Sequence, residues 1–131
     1  MASEIELIAN VARYHRRAFP KKSHVNLARL SADDRRLIAR LSGILRIADG
    51  LDRTHAQSVT GVKVRALRGR LRLSLQSHAS PQVERLEAER KSDLFSKAFN
   101  TDVELVWVRP RTRRGAPATP TRPRLHVAAA G

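Results

Sequence analysis

The apolar positions near the start of the chain recur at helical spacing. Residues 3–6 (SEIE) have the form of a capping box, in which the Ser3 hydroxyl accepts from the Glu6 amide. This pattern predicts a helix that runs to about Arg17, where the approach of Pro20 disfavours further helical residues. Two neighbouring apolar stripes follow this helix: Ile5, Ile8, Ala12 and His15 on one, and Leu7, Val11 and Tyr14 on the other.

A second and more apolar helix is predicted to begin after Ser31. Asp33 and Asp34 lie in its first turn, where the helix dipole favours negative charge. Gly43 and Gly50 lower the helix propensity, but they allow a neighbouring element to approach closely. The apolar positions continue to about Arg53 and predict the centre of the core: Leu37, Ile38, Leu41, Ile44, Leu45, Ala48 and Leu51.

The periodicity changes to two after residue 60. Apolar residues alternate with polar ones on both sides of Arg68-Gly69, which predicts a β-hairpin over residues 62–75 with one basic face. Ser80-Pro81 predicts a helix start with Ser80 as the cap. Residues 103–108 form a short apolar strand that can pair with the hairpin. The predicted order is α-α-β-β-α-β, an α+β fold.

Composition adds a net charge of +14 and the absence of cysteine. The charge favours contact with polyanions, although an arginine-rich chain can carry such charge on a merely solvated surface. The lack of cysteine excludes disulfides, thiolate metal sites and a cysteine nucleophile. No apolar run approaches the roughly 20 residues of a membrane helix, and the acidic N-terminus is unlike a signal peptide. We therefore expect a cytoplasmic protein without a membrane partner.

Two segments together resemble a known family. Residues 8–17 (IANVARYHRR), followed by Pro20 and His24, precede residues 41–55 (LSGILRIADGLDRTH). In this order and spacing they resemble the C-terminal region of the exopolyphosphatase/guanosine pentaphosphate phosphatase (Ppx/GppA) family, and the resemblance extends from about Glu4 to Val108. It implies an incomplete HD-like helical part with two helices over residues 1–57, and a small β-β-α-β element over residues 58–108.

The same resemblance implies that the chain is the C-terminal accessory part of a longer phosphatase. In that family, actin-like domains absent from this chain hydrolyse phosphoanhydride bonds with Mg²⁺, so we expect no catalytic residue and no cofactor here. Two helices cannot enclose much of a core, so the catalytic domains or a homodimer partner are expected to cover them. The remaining residues, 109–131, are rich in Pro, Arg and Ala and are predicted to be disordered.

Basic residues cluster around the end of the first predicted helix and along the second. Guanidinium groups clasp phosphate oxygens and lysines add mobile charge, which favours binding of polyphosphate or another phosphate polyanion over the alternative of a solvated helix end. The candidate anion-binding residues are Arg13, His15, Arg16, Arg17, Lys21, Lys22, His24, Arg46 and Arg53.

Asp49 matches the distal aspartate that binds metal in true HD phosphohydrolases. The sequence contains no His-Asp doublet, and Arg46 and Arg53 lie three residues before and four residues after Asp49 on one helix face. We therefore favour an ion-pair cluster over a metal site, with His15 and Asp49 as the weak metal candidates.

A nonenzymatic polyanion-binding module is the alternative function, with nucleic acid as its usual partner. Lys63, Arg65, Arg70 and Arg72 are predicted to share one face of the hairpin. No aromatic residue is interleaved with them, although base recognition on single strands normally uses stacking. This basic face therefore suits phosphate contact, or simple solvation, better than base reading.

Overall fold

The computed structural model describes residues 1–16 and 18–110, and it confirms the α+β class. No helix within these residues is long and apolar enough to cross a membrane. Arg17 and the tail after residue 110, with its predicted disorder, lie outside the described residues. The described elements are, in order, α1 (Glu4–Tyr14), α2 (Val25–Ala28), α3 (Ala32–Leu51), β1 (Gly61–Leu67), β2 (Arg70–Gln76), α4 (Gln82–Lys91), α5 (Asp93–Phe99) and β3 (Asp102–Val108).

Helix α1 begins as predicted but ends early. The Ser3 hydroxyl accepts from the Glu6 amide at 3.2 Å. The helix ends at Tyr14 instead of about Arg17, because His15 caps it. The His15 amide bonds the Val11 carbonyl, and its ring Nδ1 lies 2.6 Å from the Ala12 carbonyl oxygen. Two of the last four carbonyls of α1, those of Val11 and Ala12, thus have partners at His15.

Of the two predicted stripes on α1, the structure buries the one that contains Tyr14. Ile5 and Ile8 remain 81% and 67% exposed, whereas Tyr14 is fully buried. A polar network explains this choice, because buried polar groups need hydrogen-bond partners. The Tyr14 hydroxyl lies 2.8 Å from His24 Nδ1, and Asn26 Nδ2 donates to both Tyr14 and the buried Asn10.

Helix α3 connects two apolar clusters, but the prediction of its core residues was largely wrong, since only Ile38 and Leu51 of the seven predicted residues are buried. It begins with the Ser31 hydroxyl accepting from the Asp34 amide at 3.0 Å. The first cluster contains Tyr14, Leu27, Leu30 and Ile38, and the second contains Ile47, Leu51, Leu73, Leu75 and Ala88. Another side of α3 is uncovered in the described chain: Leu37, Leu41, Ile44 and Leu45 are each 39–49% exposed.

The predicted hairpin forms, and the last strand joins it. Strands β1 and β2 are antiparallel, with Leu67 opposite Arg70 across a turn in which Gly69 has a φ of +75°. Strand β3 runs parallel to β2, giving the order β1-β2-β3. A parallel pair requires a crossover connection, and α4 and α5 supply it.

The single helix predicted after Ser80-Pro81 is two helices. Pro81 occupies the cap position of α4 and makes no side-chain capping bond, so the prediction of Ser80 as the cap was wrong. Ser92 closes α4 by donating from its hydroxyl to the Glu89 carbonyl at 2.8 Å. A serine that bonds backward in this way competes with continuation of the helix. Helix α5 then begins at Asp93.

Both glycines of α3 have close neighbours, as predicted. A Cβ atom added at Gly50 would lie 2.8 Å from the backbone of Ala88 in α4. One added at Gly43 would lie 2.9 Å from Phe95 Cα in α5. These contacts bring α4 and α5 directly onto α3, and they set the geometry of the site described below.

Candidate functional site

The end of α1 carries one side of the candidate site. Arg13 lies in the last turn of α1, and Arg16 follows the His15 cap. The chain then passes close to α3, where the Arg46 guanidinium carbon lies 5.2 Å from the centroid of the Phe19 ring. This contact is of the cation–π kind and holds the segment after α1 against the C-terminal half of α3.

Helix α3 contributes Arg46 and Asp49, and Arg53 follows its C-cap residue Asp52. Arg46 is buried, and its Nη2 lies 3.3 Å from Asp93 Oδ1 at the start of α5. Asp49 and Arg53 follow at intervals of three and four residues. A cation and an anion thus lie one turn apart on α3, and a second cation follows just beyond the end of the helix.

Lys91, the last residue of α4, binds Asp49. Its ammonium donates to Asp49 Oδ2, and its side chain is only 8% exposed. The hydrogen bond from Lys91 is the main cause of a lowered pKa at Asp49, and the charges of Lys91, His15 and Arg53 lower this pKa further. Partial burial acts in the opposite direction and is outweighed.

These elements enclose two adjoining cavities, which we together call the cationic cleft. Their volumes are about 440 and 380 Å³, and both are lined by Arg16, Arg90 and Lys91. Five lysine and arginine side chains line the cleft against three carboxylates, so its charge is positive at neutral pH. The complete lining is Arg16, Arg46, Asp49, Arg53, His55, Glu87, Arg90, Lys91 and Asp93.

Two cations of the cleft are not paired with a carboxylate of the described residues. Arg46, Arg90 and Lys91 lie within 4 Å of Asp93, Glu87 and Asp49, respectively. Within the described part of the chain, Arg16 and Arg53 make no ion pair of this kind. Arginine side chains placed this way can offer a planar set of donors to an anionic ligand.

A second group of predicted residues lies apart from the cleft. Arg13 and His24 line an open cavity of about 630 Å³ together with Asn26 and Arg29. His24 stacks on Tyr14, with ring centroids 5.5 Å apart, and is hydrogen-bonded to its hydroxyl. His24 thus has a structural partner, and the structure divides the predicted cluster between two surfaces.

The remaining predicted anion-binding residues are placed as follows. Lys21 and Lys22 are exposed on the loop before α2 and line neither the cleft nor the open cavity. His15 is half-buried beside Asp49, where its charge influences the carboxyl group. Arg17 lies outside the described residues.

Asp49, one of the two weak metal candidates, is held in an ion pair. It is bound by the Lys91 ammonium, which a metal ion would have to displace. A divalent cation at Asp49 would face Lys91 and Arg53 at close range. No group of three or more His, Cys, Asp or Glu residues that could hold a metal occurs in residues 1–16 and 18–110.

Sequence reasoning missed two of the five lysine and arginine side chains in the cleft, Arg90 and Lys91. Arg90 and Lys91 lie more than 35 residues after Arg53 and belong to a helix read mainly from its apolar spacing. Their charge alone did not distinguish them from the other exposed cations of a basic chain. Only the close packing of α4 on Gly50 brings them to Asp49.

The fold and the cleft together define a small α+β domain built around a positively charged site. Residues 1–94, more than two thirds of the chain, match the sequence model of Ppx/GppA phosphatase, domain III. The chain therefore belongs to the Ppx/GppA phosphatase family, which confirms the resemblance seen in the sequence. A comparison with curated proteins finds no match.

Proposed function

We propose that this chain is a polyphosphate-binding accessory domain of a Ppx/GppA-family phosphatase, and that the cationic cleft holds the phosphate chain. The observation that carries the proposal is the pair Arg16 and Arg53, which line the cleft and have no carboxylate within 4 Å among the described residues. Neighbouring cations are held by ion pairs, so these two arginines have the most capacity to bind an incoming anion.

The construction of the cleft supports this use. Lys91 and Arg46 are nearly buried and fixed by Asp49 and Asp93, so they contribute positive potential without needing to be ordered by a ligand. A site that is already ordered loses less conformational entropy on binding. The net charge of +14 would in addition speed the encounter with a polyanion.

In this proposal the chain binds and positions the polyanion but does not cleave it. The hydrolytic step belongs to the catalytic domains of the family, which use Mg²⁺ to offset charge while water attacks a terminal phosphoanhydride. Those domains are the proposed partner of this chain. Polyphosphate and guanosine pentaphosphate share the phosphoanhydride chemistry that the cleft would recognise.

The alternative function, nucleic-acid binding through the hairpin, has less support. Arg72 Nε lies 2.9 Å from Glu104 Oε2, and Arg70 Nη1 lies 3.8 Å from the same oxygen. Both arginines of β2 are therefore paired with a carboxylate of β3. Trp107 pairs with Leu75, whose side chain is in the core, and therefore lies on the opposite face of the sheet. On the basic face, the two arginines of β2 are therefore already paired with Glu104. Trp107 is on the other face, so its ring is not available there for bases to stack on.

Isothermal titration with long-chain polyphosphate tests the proposal. Replacing Arg16 and Arg53 with Ala should weaken binding by about 1–3 kcal/mol, because each removes charge-assisted hydrogen bonds. The matched control replaces Arg65 and Arg68, two exposed hairpin arginines, and should weaken binding much less. Equal losses in the two double variants would mean that general charge, and not the cleft, holds the polyanion.

A further inference from the structure

Strand β1 is an uncovered edge of the sheet. Among residues 1–16 and 18–110 it pairs with β2 on one side and with no strand on the other. Its residues 62–66 are all exposed. Because a two-residue turn makes Leu67 and Arg70 a hydrogen-bonded pair, alternation directs the amides of Val62, Val64 and Ala66 away from β2. Such an edge can pair with an incoming extended segment.

One face of this edge is apolar and continues into a groove. Val62 and Val64 lie opposite Leu75 and Leu73, on the face of the sheet that the helices cover, yet they are 48% and 62% exposed. The helices therefore stop short of β1. A groove of about 600 Å³ runs beside the strand, with Ala48, Leu51, Asp52, Gln57, Val59, Thr60 and Val62 in its lining.

The other face of the edge is cationic, and no described carboxylate lies beside its two cations. Lys63 and Arg65 project from it, opposite Ser74 and Arg72. Glu104, the nearest acidic residue across the sheet, is already bound to Arg72 and Arg70. In the described part of the chain, neither Lys63 nor Arg65 has a carboxylate within 4 Å.

We propose that β1 binds an extended segment of a partner protein in which apolar and acidic residues alternate, and that this segment joins the sheet as a fourth strand. Its backbone would pair with the outward amides and carbonyls of β1. Its apolar side chains would lie beside Val62 and Val64 over the groove. Its acidic side chains would lie opposite Lys63 and Arg65, where cross-strand pairs of opposite charge are stabilising.

Charge disfavours a second copy of β1 as the occupant. Two copies paired edge to edge would place Lys63 and Arg65 against the same cations of the other copy. Like charges directly opposite each other destabilise a strand pair, and the net charge of +14 on each chain adds to the repulsion. An alternating apolar and acidic strand meets the requirements of both faces at once.

A capped ten-residue peptide of alternating Val and Glu is the probe, and a Val and Lys peptide is its matched control. With the full chain, the Val and Glu peptide should shift the amide resonances of β1 and bind at least ten-fold more tightly than its control. Val64→Pro removes an outward amide and should weaken peptide binding at least ten-fold, since proline is tolerated on the free side of an edge strand. Its binding of polyphosphate should be unchanged, because Val64 is remote from the cleft lining.

A second variant tests the charge rule without relying on proline. Replacing Lys63 and Arg65 together with Glu should reverse the preference, so that the Val and Lys peptide binds more tightly. Circular dichroism would verify that both variants keep the parent fold. The proposal is overturned if folded V64P binds the Val and Glu peptide as tightly as the parent. It is also overturned if the charge-reversed variant keeps the original preference, since the acidic peptide would then be held by general charge.

Discussion

At the scale of single residues, three carboxylates show how the partner determines the role of an acidic side chain. Asp34 accepts from the Ser31 hydroxyl, Glu84 from the Thr54 hydroxyl and Asp49 from the Lys91 ammonium. In each case this hydrogen bond is the main cause of a lowered pKa. Asp49 lies at the sequence position of a metal ligand, but in the structure its carboxylate holds the Lys91 ammonium.

The Asp49–Lys91 pair makes stability dependent on pH. The lowered pKa of Asp49 means that its stabilisation is present above the ordinary aspartate pKa, about 4, and is lost as the pH falls through the folded value. Asp49→Asn should lower the free energy of unfolding by about 1–3 kcal/mol at pH 7, because it leaves the Lys91 charge without its partner. The difference from the parent should shrink below about pH 4. Urea unfolding over a pH series would measure both effects.

The control for this prediction is Asp102→Asn. Asp102 is exposed at the start of β3 and has no ion pair among the described residues. Its replacement should leave the acid limb of the stability profile close to that of the parent. If both variants change the profile equally, the acid sensitivity comes from the overall charge of the chain and not from the Asp49–Lys91 contact.

At the scale of elements, the closeness of α3 to α4 is what brings Lys91 to Asp49. Gly50→Ala should lower the free energy of unfolding by about 1–3 kcal/mol, because the new Cβ would lie 2.8 Å from the Ala88 backbone. This cost should exceed the roughly 1 kcal/mol that alanine gains over glycine in a helix. Chemical denaturation followed by circular dichroism would give the value.

Gly61→Ala is the matched control at the start of β1. The added Cβ would there meet the end of the Gln76 side chain, which can rotate away, and not the backbone. Its effect on stability should be much smaller. A destabilisation at Gly61 equal to that at Gly50 would show that the loss comes from glycine removal in general, and not from close packing of the two helices.

The elements themselves were largely predictable from sequence, whereas their meeting points were not. Ser3 and Ser31 marked two helix starts correctly, because capping depends on residues three positions apart. The break at Ser92 was missed, since a serine inside a helical pattern does not by itself indicate a boundary. Arg90 and Lys91 were missed as members of the cleft because long-range packing places them there. The boundaries proposed at residues 57 and 108 stay predictions.

At the scale of the whole molecule, the cations of the cleft differ in whether they form ion pairs with the described residues. Most ion pairs of the cleft join different elements: Arg46 of α3 with Asp93 of α5, and Asp49 of α3 with Lys91 of α4. These pairs hold the helices together, whereas Arg16 and Arg53, which form no ion pair within residues 1–16 and 18–110, line the same cavity. In the proposed function, the cleft would combine this structural role with the binding of an anion.

This division of roles leads to the last prediction, that the chain binds polyphosphate without hydrolysing it. The residue best placed to hold a metal by its position in the sequence, Asp49, is bound to Lys91, and residues 1–16 and 18–110 contain no cluster suited to a metal ion. Phosphate release should be measured with Mg²⁺ at a polyphosphate concentration that titration shows to be saturating, so that weak binding is not mistaken for inactivity. An active phosphatase of the same family, assayed in parallel, would verify the detection. Release above background that co-purifies with the chain and disappears in Asp49→Asn would contradict the prediction, because it would require a hydrolytic role for a carboxylate that the structure assigns to an ion pair.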